Sequence, residues 1–281
     1  MQSFLSPFPT LKLNPAEIHL WFTFPTEIQD KELLQEYEKL LTPTERAQWQ
    51  RFRFARLRHQ YLITRALVRT TLSRYIDIEP RNWHFSKNEY GRPEIMTGEN
   101  IEPLRFNLSH TTDLIICGVI LKSDIGVDVE NMKREGTLIE IANRFFSPQE
   151  VKDLSSIPEK QQLARFFDYW TLKESYIKAR GMGLSLPLEQ FTFHIGNHEE
   201  HLRISFSNQL HDEPTHWQFW LLQPTQHHKA AISIRQKTSM PHQLIMKKVV
   251  PLVKEQAFFG TILKQPNYRT QHDWMANILV N

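Results

Sequence analysis

Two short motifs that lie 105 positions apart constrain the fold more than any other feature of the chain. They are Thr42-Pro43-x-Glu45 and Ser147-Pro148-x-Glu150. Each supplies a hydroxyl N-cap, a proline at the first helical position and a glutamate at the third, a combination typical of helix starts. The repeat therefore predicts two similar α/β halves in one chain.

The order of the remaining elements agrees with a duplication. A strand near Ile18, helices from about Lys31 and Pro43, and strands at WHFSKNEYGRP and LIICGVI make up the first half. The same order begins again with IGVDVE, and the strands FTFHIG, RISFS, HWQFWLLQ and KAAISIR follow the helices. We place the first half at residues 1–122, the second at 123–240, and an extension of unknown role at 241–281.

A polar turn joins the two predicted halves. Lys122, Ser123 and Asp124 separate LIICGVI from IGVDVE, a pattern that predicts a β-hairpin. Such a hairpin would place Asp128 and Glu130 near the seam between the halves. Clefts at domain seams are common sites for small ligands.

Composition limits the class of protein. The chain has 281 residues, 40% of them hydrophobic, which is enough for a substantial core. Cys117 is the single cysteine, so an intramolecular disulfide and a thiolate metal site are excluded, and a reducing compartment is favoured. No signal peptide or membrane-spanning run is found. We predict a cytoplasmic protein that does not bind membranes.

Positive charge is concentrated although the net charge is only +3. Between Glu45 and Arg74 the chain carries eight arginines and one acid, and the arginines are Arg46, Arg51, Arg53, Arg56, Arg58, Arg65, Arg69 and Arg74. A local anionic partner and a solvated helix face both explain this pattern. Nucleic acid binding is not predicted, because the domain is not strongly basic and contains no recognisable binding module.

Three carboxylates form the candidate site. In the strand IGVDVE, Asp128 and Glu130 point to one face while Val127 and Val129 point to the core. Glu174 and Lys178 are one turn apart on a predicted helix and share a face. Carboxylates near phosphates suit Mg²⁺. A solvated strand end and a surface salt bridge are the alternative explanations.

Two further segments contain groups that suit phosphates. FNLSH ends at His110, a position where a lone histidine is commonly structural. In NEYGRP, Gly91 permits close backbone approach and Arg92 offers a planar fork of donors. Each segment alone is also compatible with an ordinary strand end or turn.

The motifs GRP, FNLSH, GVDVE, FFSPQE and WTLKESYIKARGMGL, taken together and in this order, resemble the 4′-phosphopantetheinyl transferases of the large, Sfp-like type. The match runs from about Thr42 to Phe193. The resemblance implies an α+β pseudo-dimer, in which each half packs a long helix on an antiparallel sheet. It also implies a monomer, with coenzyme A and Mg²⁺ bound between the halves.

The resemblance also assigns roles to residues. Asp128, Glu130 and Glu174 would hold Mg²⁺, and the catalytic residues would be Glu174, Lys178 and Asp128. Coenzyme A would be bound by Lys87, Tyr90, Gly91, Arg92, Pro93, Asn107, Ser109, His110, Lys173 and Lys178. The implied reaction transfers phosphopantetheine to a serine of an apo acyl or peptidyl carrier protein and releases adenosine 3′,5′-bisphosphate. Glu174 or a metal-held water would take the serine proton.

The chain departs from the family pattern at a few positions. Arg92 stands where lysine is commoner, and Gln48 and Gln60 replace basic residues expected at the 3′-phosphate, where Arg46, Arg51 or Arg58 could substitute. Two alternative functions remain open on the residues alone. One is another Mg²⁺-dependent phosphotransferase or nucleotide hydrolase, and the other is a non-catalytic module that binds an acidic partner.

Overall fold

The computed structural model describes residues 9–96, 103–133, 138–196, 202–235 and 241–266. The first half contains β1 (Glu17–Thr23), α1 (Lys31–Leu40), α2 (Pro43–Arg51), α3 (Ala55–Leu72), β2 (Phe85–Lys87), β3 (Pro93–Ile95), β4 (Leu104–Thr111) and β5 (Leu114–Leu121). The second contains β6 (Ile125–Asn131), α4 (Leu138–Phe145), α5 (Pro148–Ser156), α6 (Glu159–Arg180), β7 (Phe191–Ile195), β8 (Leu202–Phe206), β9 (Trp217–Thr225) and β10 (His228–Arg235). Three more strands follow: β11 (Gln243–Val250), β12 (Lys254–Ala257) and β13 (Thr261–Lys264).

The two halves share one sheet topology. In the first sheet β5 lies between β1 and β4, and in the second β10 lies between β6 and β9, with every one of these pairs antiparallel. A short hairpin follows the long helix in each half, β2–β3 after α3 and β7–β8 after α6. The predicted α+β fold of two similar halves is therefore confirmed.

The repeated helix starts adopt the same geometry. Thr42 and Ser147 each complete a capping box with the glutamate three residues later. Each glutamate is then paired with a cation of the long helix, Glu45 with Arg69 at 2.8 Å and Glu150 with Lys173 at 2.8 Å. The repeated motif thus fixes the start of the shorter helix to the middle of the longer one in both halves.

Three apolar clusters build a four-layer arrangement of helices, sheet, sheet and helices. One cluster lies between the first sheet and its helices and includes Trp21, Leu62 and Cys117. A second lies between the second sheet and its helices. Between them the sheets face each other through side chains such as Leu20 and Val127. Full burial of such a side chain stabilises the fold by about 1.5–3 kcal/mol.

The predicted hairpin between LIICGVI and IGVDVE is wrong. β5 already has β1 and β4 on its two edges, so it has no free edge for β6. β6 pairs with β10 in the other sheet. The Lys122–Asp124 turn therefore crosses from one sheet to the other, although it still brings β6 to the seam between the halves.

The extension, which had no predicted role, adds strands to both sheets. β11 pairs in parallel with β1, β12 pairs with β11, and β13 pairs with β9. Residues 267–281 of the extension lie outside the described part of the chain. The boundaries at residues 122 and 240 remain predictions. No helix in the described residues has both the length and the apolar character needed to cross a bilayer.

Candidate active site

Strand β6 presents two of the carboxylates toward helix α6. Ile125, Val127 and Val129 point into the core between the sheets. Asp128 and Glu130 alternate with them and therefore lie on the opposite face, with Asp128 only 5% exposed. The predicted shared face of the two carboxylates is present in the structure.

Helix α6 approaches β6 closely because Gly126 lacks a side chain. A Cβ at this position would collide with the Ser175 carbonyl oxygen and the Ala179 nitrogen. The Ser175 hydroxyl lies 2.7 Å from the Ser233 hydroxyl of β10. This contact brings Glu174 and Lys178, one turn apart on α6, against the carboxylates of β6.

Lys178 is the centre of a polar cluster. Its Nζ lies 2.6 Å from Asp128 Oδ1 and donates to Ser109 Oγ at 3.0 Å and to the Val127 carbonyl at 3.1 Å. The Ser109 hydroxyl in turn donates to Asp128 Oδ1 at 3.0 Å. The ammonium therefore compensates the buried Asp128 carboxylate.

Side chains of the FNLSH segment join β4 to β6 across the seam. The Asn107 side-chain oxygen accepts the Val127 N–H at 2.9 Å, and Ser109 Oγ accepts the Val129 N–H at 3.2 Å. These bonds satisfy donors on the outer edge of β6. Asn107 and Ser109 thus assemble the site from both halves of one chain.

The pKa of the Glu174 carboxyl group is raised well above its ordinary value. Burial is the main cause that raises its pKa, to about 7, and the charges of Asp128 and Glu130 raise it further against the opposing effect of Lys178. The charges of Asp128, Lys178 and Glu130 therefore all act on Glu174, and Lys178 is the cation among them. Such a site favours either a proton or an additional cation.

Asp128 offers one ligand atom that suits a divalent cation. Asp128 Oδ2 is buried and has no hydrogen-bond partner among the described residues. A carboxylate oxygen left in this state suits a metal, because an unpaired buried acceptor is costly. No closed group of three metal-ligating side chains is formed within the described ranges, so Glu130 and Glu174 would have to move toward the metal.

His110 lies at the solvent side of the cluster. Its pKa is lowered, first by partial burial of the ring and then by the charge of Lys178, and Arg65 acts in the same direction. Arg65 was noticed in the sequence only as one of eight arginines. Its distance in sequence from FNLSH gave no signal that α3 would bring it near His110.

The β2–β3 turn is tied to the end of α6. Arg92 donates to the Ala179 carbonyl at 2.9 Å and lies 3.7 Å from Asp124. Asn88 donates to the Gly181 carbonyl at 2.8 Å. Gly91 has a φ of +86°, and the Lys87 and Tyr90 side chains are exposed. The Arg92 guanidinium is thus partly engaged by the protein itself, whereas Lys87 and Tyr90 are accessible.

The structure contradicts the predicted position of Lys173. This side chain is 1% exposed and points away from the carboxylate cluster. Its Nζ is paired with Glu150 and donates to the carbonyls of Leu188 and Phe191, at 2.8 Å in each case. Because residues 173 and 174 are neighbours on a helix, they project from different faces. Lys173 stabilises the second half and does not reach phosphates.

The two glutamines that replace basic residues have protein partners. Gln60 donates to the Thr111 carbonyl at 2.9 Å, and Gln48 accepts from the Tyr61 hydroxyl at 3.5 Å. Among the predicted substitutes, Arg46 is held by Glu38 at 4.0 Å. Arg65 is the arginine whose charge acts on His110.

A buried ion pair beside the site was missed. Lys229 lies opposite Glu130 in the β6–β10 pairing and contacts Asp168 of α6 at 2.9 Å. Burial raises the pKa of Asp168, and Lys229 opposes that shift. A lysine at the start of the apolar segment KAAISIR was the available signal, because an unpaired lysine is rarely buried.

Comparison with known proteins shows the family to which the chain belongs. A family model described as 4′-phosphopantetheinyl transferase, N-terminal, matches residues 29–120, and one described as the 4′-phosphopantetheinyl transferase superfamily matches residues 124–234. The 4′-phosphopantetheinyl transferase HetI of Nostoc sp. is 36% identical over 177 residues, which cover 63% of this chain and 74% of HetI. The chain belongs to the 4′-phosphopantetheinyl transferase superfamily.

Other superfamily members match over similar lengths. The 4′-phosphopantetheinyl transferase Sfp of Bacillus subtilis is 35% identical over 167 residues, covering 58% of this chain and 72% of Sfp. The L-aminoadipate-semialdehyde dehydrogenase-phosphopantetheinyl transferase of Rattus norvegicus is 25% identical over 219 residues, covering 72% of this chain and 70% of the rat protein. The resemblance inferred from the five motifs is confirmed.

Proposed function

We propose that this superfamily member transfers the 4′-phosphopantetheine arm of coenzyme A to a serine of an apo acyl or peptidyl carrier protein. The observation that carries the proposal is the cluster at the seam, where Asp128, Glu174 and Lys178 lie beside an exposed imidazole. A carboxyl group with a pKa of about 7 next to an ammonium is suited to proton transfer at neutral pH.

Mg²⁺ is the proposed cofactor, with Asp128, Glu130 and Glu174 as its ligands. The unpartnered Asp128 Oδ2 and the effect of the Asp128 and Glu130 charges on Glu174 support this assignment. When bound, Mg²⁺ supplies positive charge that neutralises the pyrophosphate of coenzyme A. Lys178, which now compensates Asp128, would then be available to the phosphates.

The chain's own residues can carry the proton and charge movements. The serine oxygen forms a bond to the phosphorus of the phosphopantetheine arm, and the bond from that phosphorus to the bridging oxygen of adenosine 3′,5′-bisphosphate breaks. Glu174, when ionised, accepts the serine proton. Lys178 places positive charge near the leaving phosphate. No enzyme nucleophile is required.

For coenzyme A we propose contacts on both sides of the seam. Ser109 and His110 would lie at the 3′-phosphate, with Asn107 behind them holding β4 to β6. The turn from Lys87 to Pro93, including Tyr90, Gly91 and Arg92, would contact the nucleotide. Arg65 is added as a candidate for the 3′-phosphate because its charge acts on His110.

We further propose that the enzyme acts as a cytoplasmic monomer. The support is that residues from both halves, Ser109 from β4 and Asp128 from β6, already meet within one chain. The lone Cys117 is buried and forms no disulfide, which is compatible with a reducing compartment.

The test is an incubation of the purified chain with coenzyme A, Mg²⁺ and a panel of apo carrier proteins, followed by intact-mass spectrometry of each carrier. We expect at least one carrier to gain the mass of one phosphopantetheine arm. Release of adenosine bisphosphate without a carrier would instead indicate a hydrolase. No mass gain on any carrier would contradict the proposed function.

A further inference from the structure

The buried ion pair of Lys229 and Asp168 lies beside the candidate metal ligands, and the proposed chemistry does not use it. The Lys229 side chain is 7% exposed, and its Nζ lies 2.9 Å from Asp168 Oδ1. Burial of an ammonium is costly even when it is paired, so a lysine in such a position is unusual. The neighbours of Lys229 indicate what this side chain does.

Lys229 projects from the second sheet on the same face as the acids of β6. It is directly opposite Glu130 in the antiparallel pairing of β6 with β10. Opposed residues of such a pair share a face, with their Cβ atoms about 4.5–5.5 Å apart. Ala231, two residues further along β10, is buried in the apolar cluster between this sheet and its helices. The Lys229 side chain therefore starts beside Glu130 and runs toward α6.

Each acid of β6 thus faces a cation, and the two cations come from different elements. Asp128 has Lys178 of α6 at 2.6 Å. Ala231, which lies opposite Asp128 in the sheet, brings no charge to it. Lys229 lies opposite Glu130, and opposite charges at directly opposed positions of a sheet attract each other. Glu130 therefore has a cation of β10 as its cross-strand neighbour.

Asp168 fixes the position of the Lys229 ammonium. Burial raises the pKa of Asp168. The charges of Lys229, Arg165 and Lys264 oppose that rise. These cations lie on β10, on α6 and on β13 of the extension. The carboxylate that holds Lys229 is thus maintained by charges from three elements.

The ion pair lies alongside the contact between Ser175 and Ser233. Asp168 and Ser175 are seven residues apart on α6, which is about 10 Å along the helix axis, and they share a face. Lys229 and Ser233 are four residues apart on β10, which is about 13 Å along the strand. The two contacts therefore hold α6 along β10 at two points. This arrangement keeps the Lys229 ammonium in place relative to β6, which is paired with the same strand.

The two lysines near the strand acids differ in how they are held. The Lys178 side chain is 29% exposed and also donates to the Ser109 hydroxyl at 3.0 Å. Lys229 is buried, and Asp168 does not belong to the proposed set of metal ligands. Lys178 can therefore turn toward a ligand, whereas Lys229 stays beside Glu130.

We propose that Lys229 is a positioning residue whose ammonium, held by Asp168, keeps the Glu130 carboxylate on the α6 face, where it would bind the divalent cation. Without Lys229, the negative charges of Asp128 and Glu174 would turn the Glu130 carboxylate toward solvent. This inference rests on the proposed function, because it concerns a metal ligand of the same site.

The experiment measures the dissociation constant of Mn²⁺, a paramagnetic substitute for Mg²⁺, by electron paramagnetic resonance on the purified chain. Lys229→Met/Asp168→Asn removes both charges of the pair, so neither partner is left as an unpaired buried charge. We expect the dissociation constant to rise about tenfold. In a Glu130→Gln background the same two substitutions should change it less than about twofold, because Lys229 acts through Glu130.

Lys173→Met/Glu150→Gln is the matched control. It removes another buried ion pair of α6, with a contact of 2.8 Å, whose lysine points away from the carboxylate cluster. Both pair variants should have a lower midpoint of thermal unfolding, but the control should keep the wild-type dissociation constant for Mn²⁺.

A kinetic measurement separates positioning from a general loss of activity. With a carrier protein that the wild type modifies, KM for Mg²⁺ should rise about tenfold in Lys229→Met/Asp168→Asn. At saturating Mg²⁺, kcat should fall less than about threefold, because the metal then occupies the site despite its weaker binding.

Three outcomes would overturn the inference. The dissociation constant of Mn²⁺ could be unchanged or lower in Lys229→Met/Asp168→Asn, it could rise equally in the control, or it could rise by the same factor with Glu130 and with Gln at that position. Any of these results, together with wild-type transfer to a carrier, would leave the proposed function standing. Absence of Mn²⁺ binding by the wild type would overturn the metal assignment and this inference together. Absence of transfer to every carrier would overturn the proposed function.

Discussion

The two halves meet along two seams that have opposite character. At the catalytic seam, the edges β4 and β6 are joined by Asn107 and Ser109 and enclose carboxylates. At the second seam, beyond β1 and β9, the extension adds β11, β12 and β13. One seam is polar, whereas the other is covered by chain.

Equivalent positions show how the difference arises. Arg69 and Lys173 make the same contacts in their halves, so the next residues, Thr70 and Glu174, correspond, as do Arg74 and Lys178. When residues are counted from the first core residue of each strand, Trp21 of β1 occupies the position that corresponds to Asp128 of β6. The first half thus has no carboxylate at these positions and keeps only the cation.

The retained cation serves a structural purpose at the second seam. Arg74 is 4% exposed and lies 3.4 Å from Glu255 of β12. Trp21, Thr70 and Arg74 line a small space together with Val249 and Glu255 of the extension. The comparison teaches that one duplicated framework holds the proposed reaction site where it carries acids, and a segment of its own chain where it carries apolar groups.

The strongest test of this difference between the seams is to remove the acids from the catalytic seam. Asp128→Asn and Glu174→Ala should each lower the transfer rate by on the order of 10³-fold, because charge at the phosphates is no longer balanced. Thr70→Val, at the position equivalent to Glu174, should keep the wild-type rate. Intact-mass assays of carrier modification give the rates, and circular dichroism monitors the fold. Full activity in either acid variant would refute the metal assignment.

Gly126→Ala tests whether the catalytic seam depends on backbone contact. The added methyl group collides with α6, so we expect a loss of about 3 kcal/mol in the free energy of unfolding, measured by urea denaturation. Gly260→Ala, in the extension between β12 and β13, is the control, since the nearest neighbour of the added methyl group would be the Phe258 ring at 3.3 Å. Equal losses in the two variants would argue against a special approach of α6 to β6.

Substitution of the two equivalent cations should have different effects on kcat. Lys178→Met should lower kcat about 100-fold, corresponding to about 2.7 kcal/mol of barrier. It should also cost about 3 kcal/mol of unfolding free energy, because the buried Asp128 carboxylate loses the ammonium that compensates it. Arg74→Met should leave kcat unchanged and cost about 1 kcal/mol of unfolding free energy, because Glu255 loses one of its two cations and keeps Lys247 at 3.0 Å. A kcat defect in Arg74→Met would show that the seams are not functionally separate.

The smallest expected effect concerns pH. Glu174 has a folded-state pKa of about 7 against an ordinary value of 4.5, so the folded state holds this proton more tightly. Its contribution to stability is full below pH 4.5 and is lost as pH rises toward 7, by on the order of 2 kcal/mol without metal. Unfolding curves of wild type and Glu174→Gln in chelator should therefore differ in slope between these pH values. Parallel curves would contradict the raised pKa.

Local patterns predicted much of the fold because their causes are local. The two capping boxes and the alternation in IGVDVE depend on neighbours within a few residues, and both are present. The prediction of a hairpin between β5 and β6 was wrong because the partners of a strand depend on which strand edges are free. β5 uses both of its edges for β1 and β4, which no turn sequence can reveal.

The sequence predicted several of the residues that come together at the candidate site, but it did not predict all of their contacts. Asp128, Glu174, Lys178 and Ser109 do meet, as the five motifs implied. Lys173 was misplaced because a neighbouring helical residue can face a different layer, where Glu150 holds it. The extension gave no signal because β11 has few features of its own and gains its structure from β1.

The parallel pairing of β1 with β11 has a consequence for how the protein is made. Thr23 donates to the Val249 carbonyl across 226 positions. At about 5–20 residues per second, a ribosome adds the second of these residues about 10–45 s after the first. β1 can thus pair with β5 long before β11 has been synthesised, so the first sheet is completed well after its first two neighbouring strands exist.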